Sequence, residues 1–398
     1  MIILNINFAS RMDGVKGSAI REMFKLMGDP EIISFAGGNP SPDTFPSEAL
    51  KEIAARVLCE NPAKCLQYSV TEGYAPLVSK VTERLKNQNI YKNGDKVIIT
   101  TGGQQGIDLG TKAIINPGDG VACETPSFIG ALNCFRTYEA KLYGVTLKED
   151  GIDTNELLKT LSENKNIKIL YIIPTFQNPM GVTTSLEKRK EILNICKKHN
   201  VIIIEDNPYG ELRFKGEDVP TIKSLDEDGD TVLYCGSFSK VLSPGMRIGF
   251  VCANEKLVDK MVVLKQVNDV HTNIFSQILA DEWLANYSFE DHLELCRNVY
   301  KKKCDLMLKT MDETFPDFVT YTRPQGGLFI LCTVNKPVDL KAVFKKAIDN
   351  KVAFVMGNSF MTDVEKDVDC FRLNYSTMDD ESIVKGIKIL ADVLKTID

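Results

Sequence analysis

Between about residues 95 and 255, short β-branched runs alternate with helix-like segments, and that alternation restricts the chain to an α/β fold with a mostly parallel sheet covered by helices. Six runs read as strands: KVIITTGG, GVACETP, IKILYIIPTFQNP, NVIIIEDNPYG, TVLYCGSFSK and RIGFVCA. Between two of them, SLEKRKEILNICKKHN places Ile192, Leu193 and Cys196 at helical spacing behind Ser185, a suitable N-cap, so it reads as a crossover helix. Upstream, Leu50, Ile53, Ala54, Val57 and Leu58 keep the rhythm of an amphipathic helix leading into the sheet.

With 398 residues the chain exceeds the roughly 250 to 300 at which one core stops growing, so more than one domain is expected. After about residue 285 the texture changes to long charged helices, DHLELCRNVYKKKCDLMLKTMDETF and DDESIVKGIKILADVLKTI, flanking the short runs GGLFILCT and CFRLNYS. The expected division is an N-terminal arm over 1–45 that packs with the small domain, a large domain over 46–285, and a smaller α+β domain over 286–398.

Composition narrows the function classes. The formal charge is −6 with basic residues spread along the chain, which leaves no footprint for nucleic acid or an anionic membrane. No stretch approaches the roughly 18 apolar residues of a membrane span, and the opening MIILNINFASRMDG does not read as a secretory signal. Eleven scattered cysteines without a C-x-x-C pair suggest neither a disulfide framework nor a zinc site, and they fit a reducing cytoplasm. Only His199, His271 and His292 are present, far apart in sequence, so no metal site is expected and a Ser/His/Asp triad has little to draw on.

Polar groups gather where the strands end, the edge at which open α/β sheets bind ligands. In TTGGQQGIDLG the amides of Gly103, Gln104 and Gln105 open a helix and could cradle a phosphate, although a plain strand-to-helix turn would read the same way. In FQNPMG, Asn178 precedes a proline; in IIIEDNPYG, Asp206 and Tyr209 follow an apolar strand, where a carboxylate needs a partner such as a protonated heterocyclic nitrogen. GSFSKVLSPGMRIGF adds Ser237, Ser239, Lys240 and Arg247. Together these residues offer a phosphate cradle, a carboxylate, partners for a phenolic oxygen and a nucleophilic amine.

That set, in this order, resembles the fold-type I pyridoxal-phosphate aminotransferases of class I/II, in particular the branch of aminoadipate, kynurenine and multi-substrate aromatic or branched-chain enzymes. The likeness runs from SFAGGNPSPDTFP through LQYSVTEGYAPL, TTGGQQGIDL, ETPSFIGAL, FQNPMGVT, EDNPYGELRF and SFSKVLSPGMRIGF to PQGGLFI and FRLNYS, nearly the whole chain. It implies a seven-stranded sheet, pyridoxal 5'-phosphate as cofactor, and ping-pong transfer of an amino group from an L-amino acid to a 2-oxo acid, with 2-oxoglutarate the expected acceptor. It makes Lys240 the Schiff-base lysine, and gives the phosphate to Ser237, Ser239, Arg247 and the Gly103–Gln104 segment. Tyr68 would reach the phosphate of the neighbouring subunit in a homodimer. Asp206 would pair with the pyridine nitrogen, Asn178 and Tyr209 with the phenolic oxygen, and Phe128 would stack on the ring. Arg372 would grip the substrate α-carboxylate beside Gly38, and Arg21 would meet the substrate side chain. Two departures stand out: Gly103 lacks the side-chain donor of many relatives, and Phe128 lacks the hydroxyl of the tyrosine frequent there.

Two other functions are compatible with the same residues. One is a β-lyase of the same fold; the other is a non-catalytic aminotransferase-like ligand sensor. Regulators of the latter kind carry an N-terminal DNA-binding domain, for which the 30 or so residues before SFAGG are too few.

Overall fold

The computed structural model describes residues 7–12, 29 and 31–396. Seven strands form the main sheet: β1 (Asp95–Thr100), β2 (Gly120–Thr125), β3 (Lys141–Lys148), β4 (Ile167–Ile172), β5 (Ile202–Asn207), β6 (Val232–Ser237) and β7 (Gly249–Asn254). Their spatial order is β1-β7-β6-β5-β4-β2-β3, with β7 antiparallel to both neighbours and the other pairs parallel. The two-residue strand Gly151–Ile152 turns back on the end of β3 and adds an eighth member at that edge. Parallel strands covered on both faces need continuous apolar runs, and β5 and β6 have them: Ile203, Ile204, Val232, Leu233 and Cys235 are all buried. β3 is the strand the β-branched runs do not reveal. Its residues are mostly exposed or half-buried, and its apolar residues are interleaved with glycine and polar ones instead of forming a continuous β-branched run.

The reversed strand decides where the chemistry-bearing loop goes. Because β6 and β7 are antiparallel neighbours, a short connection over residues 238–248 can join them, and it must lie at the carboxyl edge of β6. That connection carries Lys240 and Arg247. The helix Gly103–Ile114 leaves β1 at the same edge and lies close on the sheet. A Cβ on Gly106 or Gly110 would stand 2.8 Å from Val251 or Leu233, so only glycine permits this approach. The expected crossover helix is Leu186–His199, with the Ser185 hydroxyl accepting from the Lys188 amide.

A second, antiparallel sheet follows: β8 (Val319–Tyr321), β9 (Phe329–Val334), β10 (Val355–Met356) and β11 (Cys370–Asn374), in the order β8-β9-β11-β10. The long helices Phe289–Thr314 and Asp380–Lys395 pack on each other beside it. Ile33–Ser34 pairs in parallel with Val352–Ala353, and the Asn374 amide donates to the Phe35 carbonyl. The segment 31–45 therefore runs against the C-terminal part of the chain. Among the described residues, no helix is long and apolar enough to cross a membrane.

Candidate active site

At the carboxyl edge of β1, Gly102 turns the chain with φ +76°, and a Cβ there would collide with the Arg247 guanidinium. The turn thus presents the first amides of the helix Gly103–Ile114 beside a cation, as an anion site requires. Arg247 Nη1 donates to Ser239 Oγ at 3.4 Å and Nη2 to the Thr101 carbonyl at 3.4 Å. The Ser239 amide donates to Ser237 Oγ at 3.1 Å. Gln104 Nε2 donates to the Gly130 carbonyl at 3.1 Å, and its Oε1 lies with the Phe128 ring around the position a Gly130 Cβ would take. Ser237, Ser239, Arg247, Gly103, Gln104 and Phe128 thus meet at one edge.

Asp206 ends β5 buried, with Oδ2 accepting from the Tyr171 hydroxyl at 2.8 Å. Its other oxygen faces the Gly103 end of the turn, 3.8 Å from where a Gly103 Cβ would stand. Burial lifts its carboxyl to about 6, against the opposing pull of Tyr171 and Lys240. The Lys240 ammonium donates to the Gly38 carbonyl at 2.8 Å. Burial, then Arg247 and Arg372, push that amine down to about 8, while Asp206 works the other way.

Arg372, on β11, reaches the same region from the second sheet. Its Nη1 donates to Asn178 Oδ1 at 2.7 Å and Nη2 to the Ala36 carbonyl at 2.6 Å. The guanidinium lies 4.2 Å from the Phe329 ring centre, and its buried Nε has no partner among the described residues. Gly38 adjoins this cluster: a Cβ there would stand 3.4 Å from Phe329 Cζ. Tyr209 is buried edge-on to Phe329, with burial raising its phenol pKa and a hydrogen bond with Asn178 opposing that rise. The phenol therefore stays protonated at neutral pH. Asn178 accordingly sits between Arg372 and Tyr209.

The class I and II aminotransferase model matches residues 30–390 of the chain. The chain belongs to that family. It is 39% identical to aromatic-amino-acid aminotransferase 1 of Thermococcus litoralis, over 98% of this chain and 94% of that protein. Among solved structures, the multiple substrate aminotransferase of Thermococcus profundus superposes with a TM-score of 0.92 at 36% identity, covering 98% of this chain and 97% of the other. The alpha-aminoadipate aminotransferase of Thermus thermophilus, complexed with N-(5'-phosphopyridoxyl)-L-leucine, gives a TM-score of 0.90 at 37% identity, covering 98% and 97%. The fold and enzyme class expected from the motifs are thereby established.

The donor set of this aminotransferase fits pyridoxal phosphate. An anion seat at a helix N-terminus, a buried carboxylate with one oxygen uncommitted among the described residues, and a lysine amine lie on one edge, and a buried guanidinium with an orphaned Nε reaches the same region through Asn178 and Ala36. Among the described residues, one expected site residue, Tyr68, is not part of this cluster. Tyr68 is 81% exposed, its ring edge-on to His271 at 5.9 Å, and Arg21 lies outside the described residues. Several residues that shape the site carry no sequence signal. Tyr171 holds Asp206, while Glu124 Oε2 accepts from the Ile173 amide and from Gln177 Nε2, both at 3.1 Å, steadying the turn that carries Asn178. Each reads in sequence as an ordinary strand or turn residue, since its partner lies on another element.

Proposed function

We propose that this pyridoxal-phosphate-dependent aminotransferase takes aromatic and 2-aminoadipate-like L-amino acids as donors and 2-oxoglutarate as acceptor, as a homodimer in the cytoplasm. The observation that carries the reading is the approach of Arg372 from the second sheet to the edge where Lys240 and Asp206 lie. It joins a carboxylate grip to an amine and an acid. When bound, the cofactor supplies the aldehyde that takes up the amino group and the ring that accepts the electron pair released at Cα.

The chain's own residues do the rest. Lys240, with its amine poised near neutrality, would be the nucleophile toward the cofactor aldehyde and, once displaced by the amino acid, the base that takes the proton from the substrate Cα and delivers it to the former aldehyde carbon. Asp206 keeps the ring nitrogen protonated, an ion pair that offsets the cost of burying its charge. Asn178 and Tyr209 would donate to the phenolic oxygen, Phe128 would stack on the ring, and Ser237, Ser239, Arg247 and the amides of Gly103 and Gln104 would hold the phosphate. Arg372 presents a planar fork to the α-carboxylate and Gly38 keeps the adjoining backbone close. Arg21 is assigned to the substrate side chain.

The dimer reading is supported by exposed apolar residues that adjoin one another: Leu66, Tyr68 and Val70 on one segment, Val267 and Val270 on the other, joined by the Tyr68–His271 contact. Tyr68 is assigned to the phosphate of the partner subunit. The cytoplasmic reading rests on eleven cysteines present as free thiols, most of them packed in the core. The division into an arm over 1–45, a large domain over 46–285 and a small domain over 286–398 is part of the same proposal.

The test is a panel of aromatic, aminoadipate, branched-chain and alanine donors with 2-oxoglutarate. A new 2-oxo acid and glutamate in equal amounts are expected, fastest with aromatic donors or aminoadipate. Pyruvate and ammonia from cysteine conjugates, with no glutamate, would overturn transfer in favour of elimination.

A further inference from the structure

Behind the phosphate turn lies a buried polar cluster that takes no part in the mechanism above. Lys265, on the helix Glu255–Asn268, has a side chain with no solvent exposure. Its ammonium donates to Gln105 Oε1 at 2.8 Å, to Asp269 Oδ1 and Oδ2 at 2.8 and 2.9 Å, and to Thr272 Oγ1 at 2.9 Å. Every one of those acceptors bears on Thr101. Gln105 Oε1 accepts from the Thr101 amide at 2.8 Å, Asp269 Oδ2 accepts from the Thr101 hydroxyl at 2.8 Å, and Thr272 Oγ1 lies 3.1 Å from that hydroxyl. Thr101 in turn gives its carbonyl to Arg247 and is followed directly by Gly102 and Gly103.

The placement of Asp269 poses an electrostatic problem. A carboxylate bonded to Thr101 lies two residues from the amides that receive a phosphate, and like charges so close repel. The Lys265 cation, bonded to both carboxylate oxygens, cancels that charge while leaving the carboxylate free to hold Thr101. Hydrogen bonding from Lys265, Gln105 and Thr101 keeps Asp269 ionised against the opposing effect of burial. An apolar residue at 265 would remove the compensation and leave the acid.

We infer that Lys265 is a positioning residue for cofactor binding: through Gln105, Asp269 and Thr272 it fixes the Thr101–Gly103 turn and neutralises the carboxylate bonded to Thr101 behind the phosphate seat. The inference rests on the reading of that turn as the phosphate seat. It predicts an effect confined to ligands that carry a phosphate, which a general loss of stability would not produce.

The experiment titrates pyridoxal phosphate and, separately, pyridoxal, which lacks the phosphate, into the apoenzyme and follows the absorbance of the bound ligand. Lys265→Met is expected to weaken pyridoxal phosphate by about tenfold or more, the equivalent of roughly one charge-assisted hydrogen bond, and pyridoxal by less than about threefold. Adding Asp269→Asn to Lys265→Met should recover part of the lost affinity, since it removes the uncompensated charge. Equal weakening of both ligands, no weakening, or a double variant worse than the single one would overturn the inference. If Lys265→Met does not fold, Thr101→Val, at a half-buried turn position, carries the test. It removes the hydroxyl through which Asp269 holds the turn and should weaken pyridoxal phosphate selectively; equal affinities to wild type would overturn the inference. A wild-type protein that binds the two ligands equally would instead sink the assignment of the phosphate seat, a distinguishable result.

Discussion

Replacing Asp206 by asparagine should stabilise the cofactor-free protein while weakening its hold on the cofactor. Burial lifts this carboxyl from its usual 3.8 to about 6, so the folded chain keeps a proton there that the unfolded chain gives up. A raised acid contributes stability that is fully present below about pH 4 and lost as pH rises through about 6. At pH 8 the folded apoenzyme therefore carries a penalty of about two pKa units, on the order of 3 kcal/mol. Asparagine keeps the shape and an oxygen for the Tyr171 hydroxyl but has no charge to desolvate. At about 2.1 cal/mol/K of unfolding entropy per residue, 398 residues give about 0.8 kcal/mol/K, so the expected rise in Tm is about 3–4 °C. The assay is a pair of thermal melts of apoenzyme at pH 4.5 and pH 8, followed by titration with pyridoxal phosphate. The gain should shrink at the lower pH, and the holoenzyme should show the opposite order, because the ring nitrogen loses its counter-charge. An apo variant no more stable than wild type at pH 8 would refute the claim that this carboxylate is held against its own solvation.

Three further outcomes follow from the site. Arg372→Lys keeps the cation but loses the fork; with one charge-assisted hydrogen bond forfeited, about 1.5–3 kcal/mol, kcat/KM should fall roughly 10- to 150-fold, and steady-state kinetics with an aromatic donor would count against the grip if the fall were under twofold. Since burial and two arginines push the Lys240 amine down to about 8, capture of free pyridoxal phosphate by apoenzyme should accelerate as pH rises and level off above about 8; a rate flat between pH 6.5 and 9 in stopped-flow absorbance would contradict that cause. Tyr68→Ala should lower affinity for pyridoxal phosphate without changing the far-ultraviolet circular dichroism, whereas unchanged affinity in a sedimenting dimer would remove Tyr68 from the phosphate.

The sequence was legible wherever a function is written in consecutive residues. Lys240 could be singled out because Ser237, Ser239 and Arg247 lie close around it in the chain, and Asp206 because the apolar run Val201 to Ile204 leads almost directly to it. Long apolar runs made the central parallel strands evident for the same reason. β3 escaped because it lies near the sheet edge, where half-burial allows its apolar residues to be interleaved with glycine and polar ones. Lys265 escaped because its partner Gln105 is 160 residues away, and Tyr171 because a phenol in an apolar strand reads as core until Asp206 is found beside it. Motifs report local chemistry; the groups that tune it lie on neighbouring strands and helices, and only the register of the sheet brings them together.

The grip of Arg372 on Ala36 and Asn178 spans 336 and 194 residues of chain. During synthesis, the ribosome releases the lysine loop long before it releases Arg372. The strand that carries Arg372 is the last of the second sheet to be made, so its contacts with Ala36 and Asn178 close only when almost the whole chain is out.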